Sequence, residues 1–110
     1  GVIYPFDEGF DQYSLAKKQM KEAPGLFSFY VKATNRQQIV TFCESLQHIM
    51  MAVSWGGHES LLLPKCAGIQ DHEFDLANPE HQMIRLYAGL EEADYIIADL
   101  KQAFEKAFGV

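Results

Sequence analysis

Arg85 is the residue of this sequence whose type and setting most suggest binding of an anion. It falls in IRLYAG, residues 84–89, where alternation puts Ile84, Leu86 and Ala88 on one strand face and Arg85 on the other. A guanidinium presents a planar fork of N–H donors that matches a carboxylate. A strand face that simply meets solvent explains the same pattern, so spacing alone leaves both readings open.

A second stretch, VSWGGHESL at residues 53–61, places Ser54 just before Gly56 and Gly57. Glycines let backbone N–H groups approach a ligand that side chains would otherwise block. A plain turn would also account for the pair. Taken with Arg85, the stretch indicates a pocket for a small carboxylate, since the sequence contains no GxGxxG or P-loop pattern for a nucleotide.

Other kinds of chemistry find no support in the sequence. The four histidines match no zinc-binding spacing, so no metal site is predicted. There is no GxSxG motif, and Cys66 lies in a polar stretch without an evident activating partner. No lysine occupies an apolar segment where burial would lower its pKa, so no Schiff-base lysine is visible. We therefore predict no catalytic residue within these residues.

Composition limits the class of protein. The chain has 110 residues, 48% of them hydrophobic, which suits one domain with a real core. Its net charge of −6 and its lack of a Lys/Arg cluster argue against nucleic acid as a partner. It has no apolar run long enough to span a membrane. Cys43 and Cys66 lack CxxC or metal-like spacing, which favours a reducing compartment, the cytoplasm.

The first half of the chain reads as an arm, a helix, a strand and a second helix. Residues 1–10 look extended, and a helix is predicted over 11–23, ended by Pro24-Gly25. Residues 26–31 alternate as a strand. A capping box at Thr34 and Gln37 would open the second helix, whose apolar positions are Ile39, Cys43, Leu46 and Met50.

The second half predicts short strands over 51–54 and 60–63, the latter ended by Pro64, then a loop over 65–82. After the strand at 84–89 comes a helix over 92–108, stopped by Gly109. Its apolar stripe comprises Ala93, Ile96, Ile97, Leu100, Phe104 and Ala107. The order predicts an α+β fold with a small antiparallel or mixed sheet and helices packed on one face.

Four motifs, in order, resemble those of one enzyme family. VIYP at Val2 resembles its V-x-[HY]-P stretch, and SLAKKQM at Ser14 resembles its E-L-A-K-R-Q-M helix. VSWGGHESL resembles its S-[LW]-G-G-x-E-S-L segment, and IRLYAGLEEADYIIADL at Ile84 resembles R-L-x-x-G-[IL]-E-x-x-x-x-[LI]-I-x-D-L. The family is that of the Cys/Met-metabolism enzymes that use pyridoxal 5′-phosphate. Trp55 after the serine resembles the cystathionine β-lyase branch.

The resemblance implies that residues 1–110 are the C-terminal, substrate-carboxylate-binding domain of a carbon–sulfur lyase or related transferase. The cofactor and its lysine would belong to a large N-terminal domain absent here, in a homotetramer that acts on cystathionine- or cysteine-type substrates, for instance in methionine biosynthesis. Arg85 and Ser54 match the residues that bind the substrate α-carboxylate. Trp55 matches a residue of the active-site wall, and Val53 one that tunes side-chain preference. The isolated chain would be inactive.

Two departures bear on the substrate. Tyr87 replaces a small or polar residue of the family, and residues 64–83 lack the M-T-H pattern of many relatives. The residues taken without the resemblance also allow a free-standing regulatory domain of α+β type that binds a small molecule and has no catalytic activity. What the reading frame encodes upstream of Gly1 distinguishes the enzyme domain from the free-standing regulatory domain.

Overall fold

A five-stranded sheet organises the structure, a computed structural model that describes residues 2–110. Its strands are β1 (Val2–Ile3), β2 (Leu26–Tyr30), β3 (Met50–Met51), β4 (Leu61–Pro64) and β5 (Met83–Tyr87). They lie in the order β1-β2-β5-β4-β3, with antiparallel neighbours except for the parallel pair β3 and β4. The predicted α+β class with a mixed sheet is confirmed.

Strand β5 lies at the centre of the sheet and separates two different environments. Ile84 and Leu86 are fully buried, whereas Arg85 and Tyr87 between and after them are only partly buried. Side chains alternate across a strand, so the apolar pair points at the core and the polar pair at the other face. The alternation predicted for this stretch is confirmed, although the strand ends at Tyr87 and leaves Ala88 and Gly89 outside.

Three helices accompany the sheet: α1 (Tyr13–Gln19), α2 (Arg36–Ser45) and α3 (Ala93–Phe108). Helices α2 and α3 pack on each other and on the core face, with Phe42 and Phe104 rings 4.5 Å apart between their centroids. Gly109 adopts φ +71°, the left-handed conformation that ends a helix, as predicted. Burial of these aromatic rings fixes the face of the sheet that the two helices cover.

The N-terminal part is less extended and less helical than predicted. Only Val2–Ile3 forms a strand, and α1 spans seven residues rather than the whole of 11–23. Residues 3–6 are partly buried on the chain itself, where the Tyr4 ring meets Phe27 edge-on. The prediction for Gly1 lies outside the described residues.

The predicted capping box at Thr34 and Gln37 is wrong by one residue. Asn35 is the N-cap and accepts a hydrogen bond from the Gln38 N–H at 3.0 Å, while the Gln38 side chain accepts from the Thr34 N–H. Asparagine is as good an N-cap as threonine, and its position one residue later sets the helix start. The helix ends at Ser45, so Met50 belongs to β3 instead and is exposed.

Further differences between prediction and structure lie in the second half. Strand β3 begins one residue before the predicted strand over 51–54 and ends three residues before it does. Pro64 is the last residue of β4 rather than the residue that follows it. The predicted loop over 65–82 contains three short 3₁₀ turns, and Cys66 within it is buried, not in a polar setting. In α3, Ile97 is 58% exposed whereas Asp99 is 2% exposed.

Candidate functional site

The site begins on the face of β5 that turns away from α2 and α3. Arg85 stands opposite Ser28 of β2 and Leu63 of β4 in the sheet register, so a small and an aliphatic side chain flank it. Neither neighbour carries a charge that would neutralise the guanidinium. The central position of the strand fixes the Arg85 backbone on both sides.

The Arg85 side chain reaches the loop that follows β3. Its Nη2 donates a hydrogen bond to the carbonyl oxygen of Val53, the residue directly before Ser54. Within residues 2–110 no carboxylate forms an ion pair with this guanidinium, and no other acceptor is bonded to it. Arginine carries five N–H donors, so donors remain for a ligand beside Ser54.

The segment that Arg85 contacts, here called the glycine loop (Val53–Gly57), is exposed throughout. Val53 is 73% exposed and Trp55 54% exposed, and the Ser54 side chain is also exposed. Gly56 has φ +97°, a backbone conformation in which side-chain-bearing residues are strained, whereas Gly57 has an ordinary φ and open space around it. Of the two glycines, only Gly56 is required by the turn itself.

A second side chain of β5 also holds the glycine loop. The Tyr87 hydroxyl donates a hydrogen bond of 2.9 Å to the Gly57 carbonyl oxygen. Arg85 and Tyr87 therefore hold the two ends of the loop from one strand face. Sequence reasoning identified Tyr87 as a departure from the family but missed this contact, because a bond across 30 residues has no local pattern.

Beyond the loop, Ser60 joins two segments of backbone. Its hydroxyl donates to Glu91 Oε1 and accepts from the Gly89 N–H, at 3.0 and 2.9 Å, and its own N–H donates to Glu91 Oε2 at 3.0 Å. The Ser60 N–H holds the pKa of the Glu91 carboxyl below its usual value. A Cβ at Gly89 would overlap the His58 carbonyl oxygen, so glycine allows this close approach.

Asp99 plays a comparable part on the other side of the glycine loop. Its carboxylate accepts hydrogen bonds from the backbone N–H groups of Gln47, His48 and Ile49, at 2.8 to 2.9 Å. Burial alone would raise the pKa of this carboxyl, but these N–H donors, joined by the Gln102 side chain, lower it overall. Sequence reasoning missed Asp99, although its spacing of three residues from Ile96 and four from Ala103 is that of one helix face.

The two cysteines do not form a reactive site. Both are buried and unpaired, and Cys43 and Cys66 line a cavity of about 250 Å³ under α2. Burial raises the pKa of the Cys43 thiol to about 12 and also raises that of Cys66. Both thiols are therefore protonated at neutral pH and poor nucleophiles.

Other features of the described residues bear on cofactor, metal and membrane binding. Every lysine of the chain is exposed in the structure. Among residues 2–110 no three His, Cys, Asp or Glu side chains converge as metal ligands. No helix in that same range has both the length and the apolar character to cross a membrane. The free N–H donors of Arg85 and the exposed Ser54 hydroxyl are groups that can donate hydrogen bonds to an anion.

Comparison with known proteins gives a consistent result. The chain is 36% identical to cystathionine gamma-lyase of Bos taurus and 33% identical to cystathionine beta-lyase MetC of Escherichia coli, in both cases over 96% of this chain and 27% of the relative. It thus spans about a quarter of these relatives. The structure of cystathionine gamma-lyase from Lactobacillus plantarum, complexed with L-serine, superimposes with a TM-score of 0.78 at 30% identity, over 97% of this chain and 29% of that one.

The γ-lyase and the β-lyase are nearly equally similar, so these identities do not select a branch. The family model described as Cys/Met metabolism PLP-dependent enzyme matches residues 1–105. That match covers almost the whole chain, and it agrees with the four motifs and the shared fold. This chain belongs to the Cys/Met-metabolism family of pyridoxal-phosphate-dependent enzymes.

Proposed function

We propose that these residues are the C-terminal domain of a carbon–sulfur lyase and supply its binding site for the substrate α-carboxylate. The observation that carries the proposal is the placement of Arg85 against Val53, the neighbour of the exposed Ser54, with no carboxylate partner among residues 2–110. The guanidinium binds the carboxylate through two parallel hydrogen bonds, and the Ser54 hydroxyl adds a third. The relative complexed with L-serine supports this proposal, because serine carries the same α-carboxylate.

The two other site residues shape the rest of the substrate pocket. The exposed Trp55 ring forms part of the wall, and Val53 faces the substrate side chain and tunes which sulfur amino acid fits. Both lie within two residues of Ser54, so a substrate held by its carboxylate reaches them. Their exposure supports the proposal, since apolar side chains of this size are usually covered when a site is complete.

The cofactor is pyridoxal 5′-phosphate, and a large N-terminal domain of the complete protein holds it. By the complete protein we mean the product of the whole reading frame that encodes these residues. When bound, it supplies the electron-withdrawing ring that makes loss of a Cα proton and of a sulfur leaving group possible. Arg85 moves no proton. It fixes the carboxylate and so the rotation about Cα, an orientation effect that contributes to the rate.

The reaction proposed is elimination on cystathionine- or cysteine-type substrates, with the β-lyase outcome favoured by Trp55 after the serine. A related transferase activity and a role in methionine biosynthesis belong to the same proposal. The complete protein would assemble as a homotetramer in the cytoplasm, and the two buried, unpaired cysteines support a reducing compartment.

A product assay on the complete protein tests the reaction. With cystathionine as substrate we expect pyruvate, the product of cleavage on the β side, and little 2-oxobutyrate. A predominance of 2-oxobutyrate would contradict the β-lyase assignment while leaving the carboxylate site intact. The 110-residue chain alone serves as the control, and we expect no turnover from it.

The regulatory-module alternative is tested by the reading frame itself. A long upstream frame containing a cofactor lysine supports the enzyme, whereas a start codon at Gly1 would support the module. The match to the enzyme family over residues 1–105 favours the enzyme.

A further inference from the structure

Two acidic side chains outside the substrate pocket hold the backbone on either side of the glycine loop (Val53–Gly57). Glu91 lies two residues before the start of α3, next to its N-cap Glu92, and Asp99 lies within the helix. Neither contributes to the anion-binding pair Arg85 and Ser54. Their hydrogen-bond partners, however, include backbone N–H groups of the chain that leads into and out of the loop.

Asp99 fixes the chain before the loop. After α2 ends at Ser45, the N–H groups of three successive residues, 47–49, all point at this one carboxylate. The Gln102 amide bonds both Asp99 and the Ser45 carbonyl, which ties the end of α2 into the same network. An asparagine in place of Asp99 has one acceptor oxygen and turns an NH₂ group toward the N–H donors, so it cannot reproduce the arrangement.

Glu91 fixes the chain after the loop. Both of its carboxylate oxygens accept hydrogen bonds from Ser60, which is fully buried. The Leu90 N–H donates to the His58 carbonyl at 2.8 Å and closes the same contact from the backbone side. A glutamine at position 91 would lose one of the two acceptors that Ser60 uses.

Between these two anchors the loop has little of its own to hold it. Its side chains are exposed, and it has no strand partner between Met51 and Leu61. Apart from the contacts of Arg85 and Tyr87, the hydrogen bonds that define its path within residues 2–110 lie at its flanks, where β3 also pairs with β4 and the Ala52 N–H bonds the Leu62 carbonyl. Fixing both flanks sets where the Val53 carbonyl and the Ser54 hydroxyl lie relative to Arg85.

We propose that Glu91 and Asp99 are positioning residues that hold the glycine loop against Arg85 in the geometry that binds the substrate carboxylate. The proposal rests on the proposed function of Arg85 and Ser54 and deepens it. It assigns to two carboxylates a role in substrate affinity although neither touches the substrate.

The test uses the complete protein loaded with its cofactor and cystathionine as the substrate. Asp99→Asn is compared with Asp94→Asn, an exposed carboxylate on the same helix, and Glu91→Gln with the exposed Glu92→Gln. We expect KM to rise about tenfold in each anchor variant with a smaller change in kcat, and to stay unchanged in the controls. A purely structural role would lower the active fraction, so a fall in kcat at constant KM overturns the proposal.

Amide hydrogen exchange gives a readout that does not depend on activity. The Ala52 N–H, just before the loop, donates a hydrogen bond to the Leu62 carbonyl. The Leu90 N–H donates to the carbonyl of His58, the residue just after the loop, so the exchange rates of these two amides report on its two ends. We expect faster exchange at Ala52 in Asp99→Asn and at Leu90 in Glu91→Gln. Faster exchange confined to residues 47–49 or to Ser60 would show that the anchors act only locally and would overturn the proposal.

The Arg85→Ala variant separates the failure of this proposal from that of the proposed function. An unchanged KM in Arg85→Ala contradicts the carboxylate site itself, and the exchange data still show whether the anchors hold the loop. If Arg85→Ala raises KM, the double variant with Asp99→Asn should add less than about twofold, because both act on one contact. If the effects of the two substitutions on KM are fully additive, Asp99 does not act through Arg85 and the proposal is overturned.

Discussion

The two faces of strand β5 differ in composition, burial and consequence. On one face Ile84 and Leu86 are fully buried against α2 and α3. On the other, Arg85 and Tyr87 reach across to an exposed loop and bond its backbone carbonyls. One five-residue strand thus serves the core with every second side chain and the candidate site with the others.

This difference between the two faces of β5 indicates that the core and the candidate site are coupled through the strand backbone rather than through shared side chains. Packing at Leu86 fixes the strand, and the strand in turn fixes the Arg85 Cα. The glycine loop has no such packing: Arg85 and Tyr87 of β5 bond its carbonyls, and Glu91 and Asp99 bond the backbone that flanks it. We therefore expect substitutions on the two faces to separate cleanly into effects on stability and effects on binding.

The largest expected effect is on the core face. Leu86→Ala should lower the free energy of unfolding by about 2–5 kcal/mol, because it opens a cavity in a fully buried site. Its neighbour is the matched comparison: Arg85→Ala removes one hydrogen bond at a partly exposed position and should cost about 1 kcal/mol or less. Denaturant titration measures both. Equal losses of unfolding free energy in the two variants would contradict the distinction between the two faces of β5.

A smaller effect is expected from Asp99→Asn. Asparagine keeps one acceptor oxygen and points an NH₂ group at the N–H groups of residues 47–49, of which that of Ile49 is buried, so the change should cost about 1–3 kcal/mol at neutral pH. Because the pKa of Asp99 is lowered on folding, its contribution is present above its ordinary pKa and is lost as pH falls below about 4. Denaturant titrations across that range should show a weaker acid-induced loss in the variant. An identical acid slope would contradict this account.

The smallest effect is expected within the glycine loop. Gly56→Ala forces a side chain into φ +97° and should cost about 1 kcal/mol, whereas Gly57→Ala has open space and an ordinary φ and should be nearly neutral. The pair is compared by thermal unfolding together with KM for cystathionine. If Gly57→Ala is the more damaging of the two, the ligand rather than the turn requires the glycine.

Much of the fold was predictable because its signals are local. Alternation in residues 84–87 placed Arg85 on the face opposite Leu86, and the stripe and terminal glycine of α3 marked that helix nearly to the residue. Local signals also misled. Thr34 and Asn35 are both good caps, and the choice between them depends on which side chain reaches the Gln38 N–H.

The contacts that hold the candidate site were mostly outside the reach of such patterns. Ser60 and Glu91 are 31 residues apart, and Arg85 and Val53 are 32 apart, so only the fold brings them together. Asp99 was missed for a different reason. The predicted stripe of α3 contained Ile97, which is exposed, and so it placed the buried face on the wrong side of Ile96 and away from Asp99.

The central claim is that the Arg85 guanidinium binds the substrate carboxylate. Steady-state kinetics of Arg85→Ala in the complete protein, with cystathionine as substrate, test it most directly. The account predicts a rise in KM and a fall in kcat/KM of at least tenfold, about 1.4 kcal/mol of lost transition-state stabilisation. Kinetics equal to those of the unaltered protein, with the cofactor still bound, would contradict the claim.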